Sequence, residues 1–206
     1  MINFQTFGKI SDWILNSIVF NKTENRWYGV GADNTVSTMN NLAFQPWGDK
    51  ILKGNWRLKM LTVDTKGTLW CVGTESNIGK WNGTGWDSPA EYGKNLKMIA
   101  FDDNNNMWCV TNNHIVAKWN GNAWEDQKEL LIWAVAWIAF NPGSPNKIYV
   151  IGTEHNLGEF EFNQPGLGIQ SIHTNIAFKS LTISSDGSKS HLYAINTDSS
   201  VCLAEI

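Results

Sequence analysis

A unit of about forty residues recurs five times along this chain, and no other feature restricts its fold as strongly. LKMLTVDTKGTLWCVGTESNIGKWNGTGW (58–86) lies over LKMIAFDDNNNMWCVTNNHIVAKWNGNAW (96–124) without a gap. Three weaker copies start at Ser17, Trp137 and Ser180. Anchored on Asn21, Asp64, Asp102, Asn141 and Ser184, the copies stand 43, 38, 39 and 43 residues apart. An apolar or alternating run precedes each anchor. A turn-rich stretch follows it, and then an aromatic residue: Tyr28, Trp70, Trp108, Tyr149 or Tyr193. GADNTVSTM, GTESNIGKW, TNNHIVAKW, GTEHNLGEF and NTDSSVCLA then align without gaps. The apolar runs are short, rich in β-branched and aromatic residues, and bounded by Gly, Asn, Asp and Ser, so they predict strands and turns. Asn82-Gly83 and Asn120-Gly121 predict tight hairpins, because both central residues of a type I′ turn need positive φ.

Units of this length bury their apolar faces by stacking on one another. The prediction is an all-β fold, a five-bladed β-propeller of four-stranded antiparallel blades. The last copy stops after its third strand. FQTFGKISDW, near the N-terminus, fills the slot that WDSPAEYGKN occupies between the second and third copies. The N-terminal strand is therefore expected to complete the last blade and close the ring, leaving no unpaired edge. The expected organisation is a single β-propeller domain over 1–206. Its repeats lie near 13–55, 56–93, 94–132, 133–175, and 176–206 together with 1–12.

Composition narrows the function classes. Charged residues make up 17% and the net charge is −3, so no basic field points to nucleic acid. No apolar run approaches the length of a membrane-spanning helix. MINFQTFGKISDW lacks the charged and then apolar order of a secretion signal, so the expectation is a cytoplasmic or non-classically secreted protein. Cys71, Cys109 and Cys202 form no CxxC pair and are expected to be buried thiols, without a metal or disulfide framework. Asn21-Lys22-Thr23 and Asn82-Gly83-Thr84 are glycosylation sequons, relevant only to a chain that enters the secretory pathway. All 12 Trp lie between Trp13 and Trp137.

Let strands a to d run outward from the axis of each blade. The b–c loops and the d-to-a connections then share one rim, and the a–b and c–d turns share the other. Trp13, Trp56 and Trp133 occupy one position on the d-to-a connection, where Lys94 and Ile176 stand in the other copies. The b–c loops carry Asp33-Asn34, Glu75-Ser76, Asn113-His114, Glu154-His155 and Asp198-Ser199. An aromatic platform beside polar pairs suits a sugar, with the ring covering C–H faces and the polar groups bonding hydroxyls. A ring of weak sites would gain avidity. Each feature also has a packing reading. The Trp side chains can wedge adjacent blades, and the polar pairs can simply form turns. Trp70 and Trp108 lie mid-strand and are expected in the core. Trp81, Trp86, Trp119 and Trp124 flank hairpins and are expected to pack across strands. Asp64 and Asp102 sit at one repeated turn position and are expected to shape it. His114 and His155 share a slot but lack the framework of a metal site.

KGNWRLKMLTVDTKGTLWCVG (53–73) and YGKNLKMIAFDDNNNMWCV (92–110) give the chain a further meaning. Their order is a Gly-rich segment with a Trp, an apolar strand, a D-x-x-G-type turn and L-W-x-V. It resembles the five-bladed tachylectin-type propellers and, more loosely, tectonin repeats. The resemblance implies a multivalent lectin that binds N-acetylated sugars of the N-acetylglucosamine type, about one site per blade junction. The paired glycines that precede the Trp in that family are Gly54-Asn55 here, so the resemblance places both beside the sugar. Two to four competent sites are expected, with no cofactor. The alternative is a protein-interaction scaffold, since a propeller fold does not by itself choose a ligand. An enzyme is disfavoured: no nucleophile elbow, P-loop or metal framework is present. A lectin should show similar pockets at several junctions, and a protein platform one broad, asymmetric surface.

Overall fold

The computed structural model describes residues 2–8, 13–40, 56–89, 92–93, 95–130, 133–142, 144–185 and 188–206. The chain is a five-bladed β-propeller of four-stranded antiparallel blades. Strand β1 (Gln5–Gly8) precedes the first blade, of which β2 (Leu15–Asn21), β3 (Arg26–Gly31) and β4 (Val36–Met39) lie among the described residues. Blade two is β5 (Leu58–Val63), β6 (Leu69–Gly73), β7 (Ile78–Trp81) and β8 (Trp86–Asp87). Blade three is β9 (Leu96–Phe101), β10 (Met107–Thr111), β11 (Val116–Trp119) and β12 (Trp124–Asp126). Blade four is β13 (Val135–Phe140), β14 (Lys147–Gly152), β15 (Leu157–Glu161) and β16 (Gln170–Ile172). Blade five is β17 (Phe178–Ser185), β18 (Ser190–Asn196) and β19 (Val201–Glu205), completed by β1 through Gln5↔Leu203 and Thr6↔Cys202. The N-terminus thus closes the ring on the outer edge of the last blade. The helical turns among the described residues are two three-residue 3₁₀ segments, and no helix there is long and apolar enough to cross a membrane.

The repeat anchors are the a–b turns, and their side chains hold those turns. The Asp64 carboxylate accepts the backbone N–H of Lys66 and Thr68 and the indole N–H of Trp70 (3.0, 2.8 and 3.1 Å). Asp102 does the same for Asn104, Asn106 and Trp108 (3.0, 2.8 and 3.0 Å). Each carboxylate thereby ties the turn to the core Trp six residues on, which explains the fixed offset in the sequence. Asn21 caps its turn through Thr23 and Glu24 N–H and donates to the Gly67 carbonyl of blade two (3.0 Å). Asn105 accepts from Thr65 of blade two at 2.9 Å, so the a–b turns also bond blade to blade.

All five blades share one irregularity. The a–b register skips a residue near the start of strand a: Asn16, Lys59, Lys97, Ala136 and Lys179 lie between consecutive ladder pairs. A β-bulge of this kind re-aims side chains and adds twist. The core lies between blades, with the Trp70, Trp108, Val110, Ile138 and Phe160 cluster spanning blades two to four.

Cys71, Cys109 and Cys202 are buried. Burial pushes all three thiols up, Cys109 to about 12. The thiolate is the reactive form. Native protein at pH 8 is therefore expected to give no thiol titre with Ellman's reagent, and all three groups to react in denaturant. A fast-reacting native thiol would contradict this packing.

Candidate functional site

The rim that carries the b–c loops is built from five copies of one hairpin. A backbone bond closes each turn, from Asn34 to Gly31, Ser76 to Gly73, His114 to Thr111, His155 to Gly152 and Ser199 to Asn196 (2.9–3.0 Å). The second residue of every polar pair has positive φ: Asn34 62°, Ser76 65°, His114 66°, His155 65° and Ser199 70°. A turn followed by one left-handed residue is a standard three-residue hairpin loop. Asn tolerates that conformation well, and the other types do so only under fold constraint. These residues also link blades. The Leu58, Leu96 and Phe178 N–H groups donate to the Asn34, Ser76 and His155 carbonyls (3.1, 3.2 and 2.9 Å). His114 Nδ1–H donates to the Val135 carbonyl and His155 Nδ1–H to that of Phe178 (3.1 and 2.9 Å). The Ser76 hydroxyl accepts from Lys59 and Asn112. Asp33, Glu75, Asn113 and Glu154, first in their pairs, are exposed.

The three rim Trp rings lie on glycine. Trp13 is 7% exposed, and its indole N–H donates to both Asp33 oxygens at 3.2 Å. A Cβ on Gly31 would stand 2.2 Å from that nitrogen. Trp56 lies over Gly73 and Gly79, where a Cβ would meet the ring at 3.3 and 3.0 Å. Trp133 lies over Gly152 and Gly158, at 3.4 and 2.9 Å. In blade five, Ile176 replaces the Trp, and Asn196 and Cys202 stand at the corresponding floor positions. In blade three, Thr111 and Ala117 stand there. Trp occurs where the first floor position is glycine; Trp13 is buried there, and Trp56 and Trp133 are half-buried. The structure brings Trp13 to Asp33, and Trp133 to Glu154 in a notch of about 190 Å³ that Thr153 and Asn156 also line. No hydrogen bond joins Trp56 to Glu75 or Ser76 among the described residues. Gly54, Asn55 and Lys94 lie outside the described residues.

The opposite rim carries two further concavities. All five a strands surround a central cavity of about 530 Å³ that opens among Lys22, Thr65, Asp103 and Pro142. Phe20, Phe101 and Ile183 and, nearer the start of the a strands, Met60, Met98 and Trp137 also line it. The Trp137 indole N–H donates to the Leu181 carbonyl (2.7 Å), which fixes the ring across the channel. Burial, and secondarily the neighbouring Asp102, raises the Asp103 carboxyl above its ordinary range. Phe101 also borders a groove of about 500 Å³ at the junction of blades two and three, with Tyr92, Trp119, Asn105, Asn120 and Glu125 around it. Lys118 beside this groove stands 5.2 Å from the Trp108 ring centre and 3.8 Å from Asp102. Trp119, expected from the sequence to pack across strands, contacts Trp124 and Tyr92 edge-on (5.3 and 5.0 Å). The available signal was the recurrence of Lys-Trp-Asn-Gly, which places a cation, an aromatic ring and an amide at one hairpin. Among the described residues no group of three His, Cys, Asp or Glu side chains is placed to hold a metal ion.

No family model matches the chain. No curated protein matches it either. Solved structures do. A chain described as YCF48 bound to D1 peptide is similar over 94% of this chain and 79% of its own, at 15% identity and TM-score 0.61. The WD40 repeats of RRP9 are similar over 99% of both chains, at 8% identity and TM-score 0.63. A chain of the mitotic checkpoint complex is similar over 93% of this chain and 63% of its own, at 12% identity and TM-score 0.54. At these identities the likeness is one of fold: a five-bladed β-propeller with WD40-like structural neighbours, and not specifically a tachylectin or tectonin.

Proposed function

We propose that this chain is a non-catalytic protein-interaction propeller that reads its partner with the a–b rim. The supporting observation is asymmetry. Two cavities, of about 530 and 500 Å³, share Phe101 on that rim, whereas the repeated Trp positions of the other rim lie on glycine floors. A ring of equivalent sugar pockets would instead follow the repeat. Structural neighbours that include a peptide-bound propeller and a chain of a multiprotein complex agree with this reading. The a–b rim offers aromatic side chains, Lys22 and several amides, the mixture found in anchor pockets of protein interfaces.

A second reading is favoured by the blade two–three groove alone. Tyr92 and Trp119 beside Asn105, Asn120 and Glu125 have the chemistry of a single sugar subsite. Selection from a random-peptide display library, alongside a glycan array, separates the two. The expected result is a peptide consensus whose binding falls about tenfold in Phe101→Ala and is unchanged in Glu154→Gln. Peptides blind to Phe101, together with saturable N-acetylglucosamine binding lost in Trp119→Ala, would replace the platform with a lectin.

A further inference from the structure

The groove at the junction of blades two and three has aromatic walls, and its rings stand at an angle to one another in series. Trp70 lies 5.5 Å from Phe101 and 6.2 Å from Tyr92, and Tyr92 lies 5.0 Å from Trp119. The interplanar angles are 51°, 78° and 64°. Rings tilted in this way present ridges and clefts, not one flat plate. Trp70 is buried, whereas Phe101, Tyr92 and Trp119 are half-buried and keep surface for a ligand.

The polar groups of the groove supply an independent sign. The indole N–H groups of Trp70 and Trp124 are spent within the fold, on Asp64 and on the Tyr92 carbonyl (3.1 and 2.9 Å). That of Trp119 has no hydrogen-bond partner among the described residues. Asn106 and Asn120 spend their amide N–H groups on Asp102 and Glu125 (2.8 and 2.6 Å). Asn105 does the reverse. Its Oδ1 accepts the backbone N–H and the hydroxyl of Thr65, both at 2.9 Å. A backbone N–H can only donate, so the oxygen is fixed there. The Nδ2 group of Asn105 has no partner among the described residues. Lys118, with a side chain 35% exposed, adds a cationic donor. The groove therefore has donors to spare, and its carboxylate, Glu125, already accepts from Asn120. The matching ligand offers acceptors and few donors. A polyproline II segment has no internal hydrogen bonds, so its carbonyls are open, and each proline lacks an N–H. A sugar hydroxyl brings a donor with every acceptor.

Charge narrows the segment further. The groove meets the central cavity at Phe101, and Asp103, two residues on, lines that cavity. Asp103 is exposed, and among the described residues no hydrogen bond or ion pair involves its carboxylate. The lysine that lines the same cavity, Lys22, stands on blade one and donates to the Ser185 carbonyl (3.4 Å). A carboxylate beside an aromatic wall complements a basic side chain, whose aliphatic stem lies on the ring while its head meets the charge. We propose that this groove binds a proline-rich segment of the partner protein in the polyproline II conformation, with prolines against Phe101, Tyr92 and Trp119 and an adjacent basic residue at Asp103. Aromatic-lined grooves take such segments because the conformation is preformed and costs little entropy to hold. The assignment rests on the protein-interaction reading and names what that rim selects.

Fluorescence anisotropy of labelled synthetic peptides, titrated with the full chain, tests the groove. The probe is a Pro-Pro-Ala repeat of about twelve residues with a terminal arginine. The control replaces every proline with alanine and keeps the arginine. The expected result is saturable binding of the probe with a dissociation constant of about 100 µM, and binding of the control about tenfold weaker. Trp119→Ala should weaken the probe by about tenfold or more. Trp119→Phe keeps a ring and removes the N–H, and should weaken it severalfold. Asp103→Asn should weaken the probe severalfold and leave a probe without the arginine unchanged. Equal binding of probe and control, or full retention in both Trp119 variants, would overturn the proline assignment and leave the protein-interaction reading standing. Failure of both peptides to bind, while the random library still returns Phe101-dependent peptides, would overturn the assignment alone. Failure of both together with an empty library selection would bring down the reading beneath it as well.

Discussion

Replacing Trp108 with Ala is expected to lower the unfolding free energy by about 3–5 kcal/mol. Its ring is 4% exposed and joins two blades, with centroids 5.1 Å from Phe140 and 5.3 Å from Phe162. Truncation leaves a cavity that the two flanking sheets have little freedom to collapse into. It also removes an indole donor from the Asp102 carboxylate, itself 8% exposed, and the cation–π partner of Lys118. A buried acceptor that loses a donor adds to the cavity term. Urea unfolding followed by far-ultraviolet circular dichroism, with an unchanged slope, is the measurement. A loss under about 1 kcal/mol would mean that the a–b turn and the core are not tied through this Trp.

Removing residues 1–8 is expected to open the ring. Strand β1 covers the outer edge of β19, and Ile2 and Phe4 pack against the Phe178, Leu181 and Leu192 cluster. The Phe4 and Phe178 rings stand 4.8 Å apart. Losing two half-buried apolar side chains and several ladder bonds costs about 3–6 kcal/mol. For a chain of this size that is a fall in Tm of about 10 °C or more. The bared β19 edge also invites intermolecular pairing. Light scattering after size exclusion should show oligomers or aggregate. A truncated monomer melting within a couple of degrees of the full chain would mean that β1 does not hold the ring shut.

The repeat made the architecture readable. Blade number, the a–b turns at Asn21, Asp64 and Asp102, and closure by the N-terminal strand all follow from local chemistry, because each depends on a strand, a turn residue and an offset of a few positions. The core placement of Trp70 and Trp108 was readable for the same reason, since their N–H groups answer an aspartate six residues earlier. The rim was less legible. An aromatic residue beside a polar pair reads alike whether the ring faces solvent or lies on a glycine floor, as Trp13 lies on Gly31. Similarly, Glu154-His155 reads as a polar pair, and only the structure adds that His155 Nδ1–H donates to the Phe178 carbonyl of the next blade.

The amino-acid sequence by itself determined how many blades form, where they turn and how the ring closes, because these are properties of single repeats and their order. Tertiary structure alone decided where the cavities lie. Cavities arise between blades, where side chains from two repeats either interlock or leave a gap. The bulge that skips Asn16, Lys59, Lys97, Ala136 and Lys179 breaks the two-residue period on which a strand is read. The facing of Met60, Met98 and Trp137 toward the channel therefore emerges only when the five a strands stand around one axis.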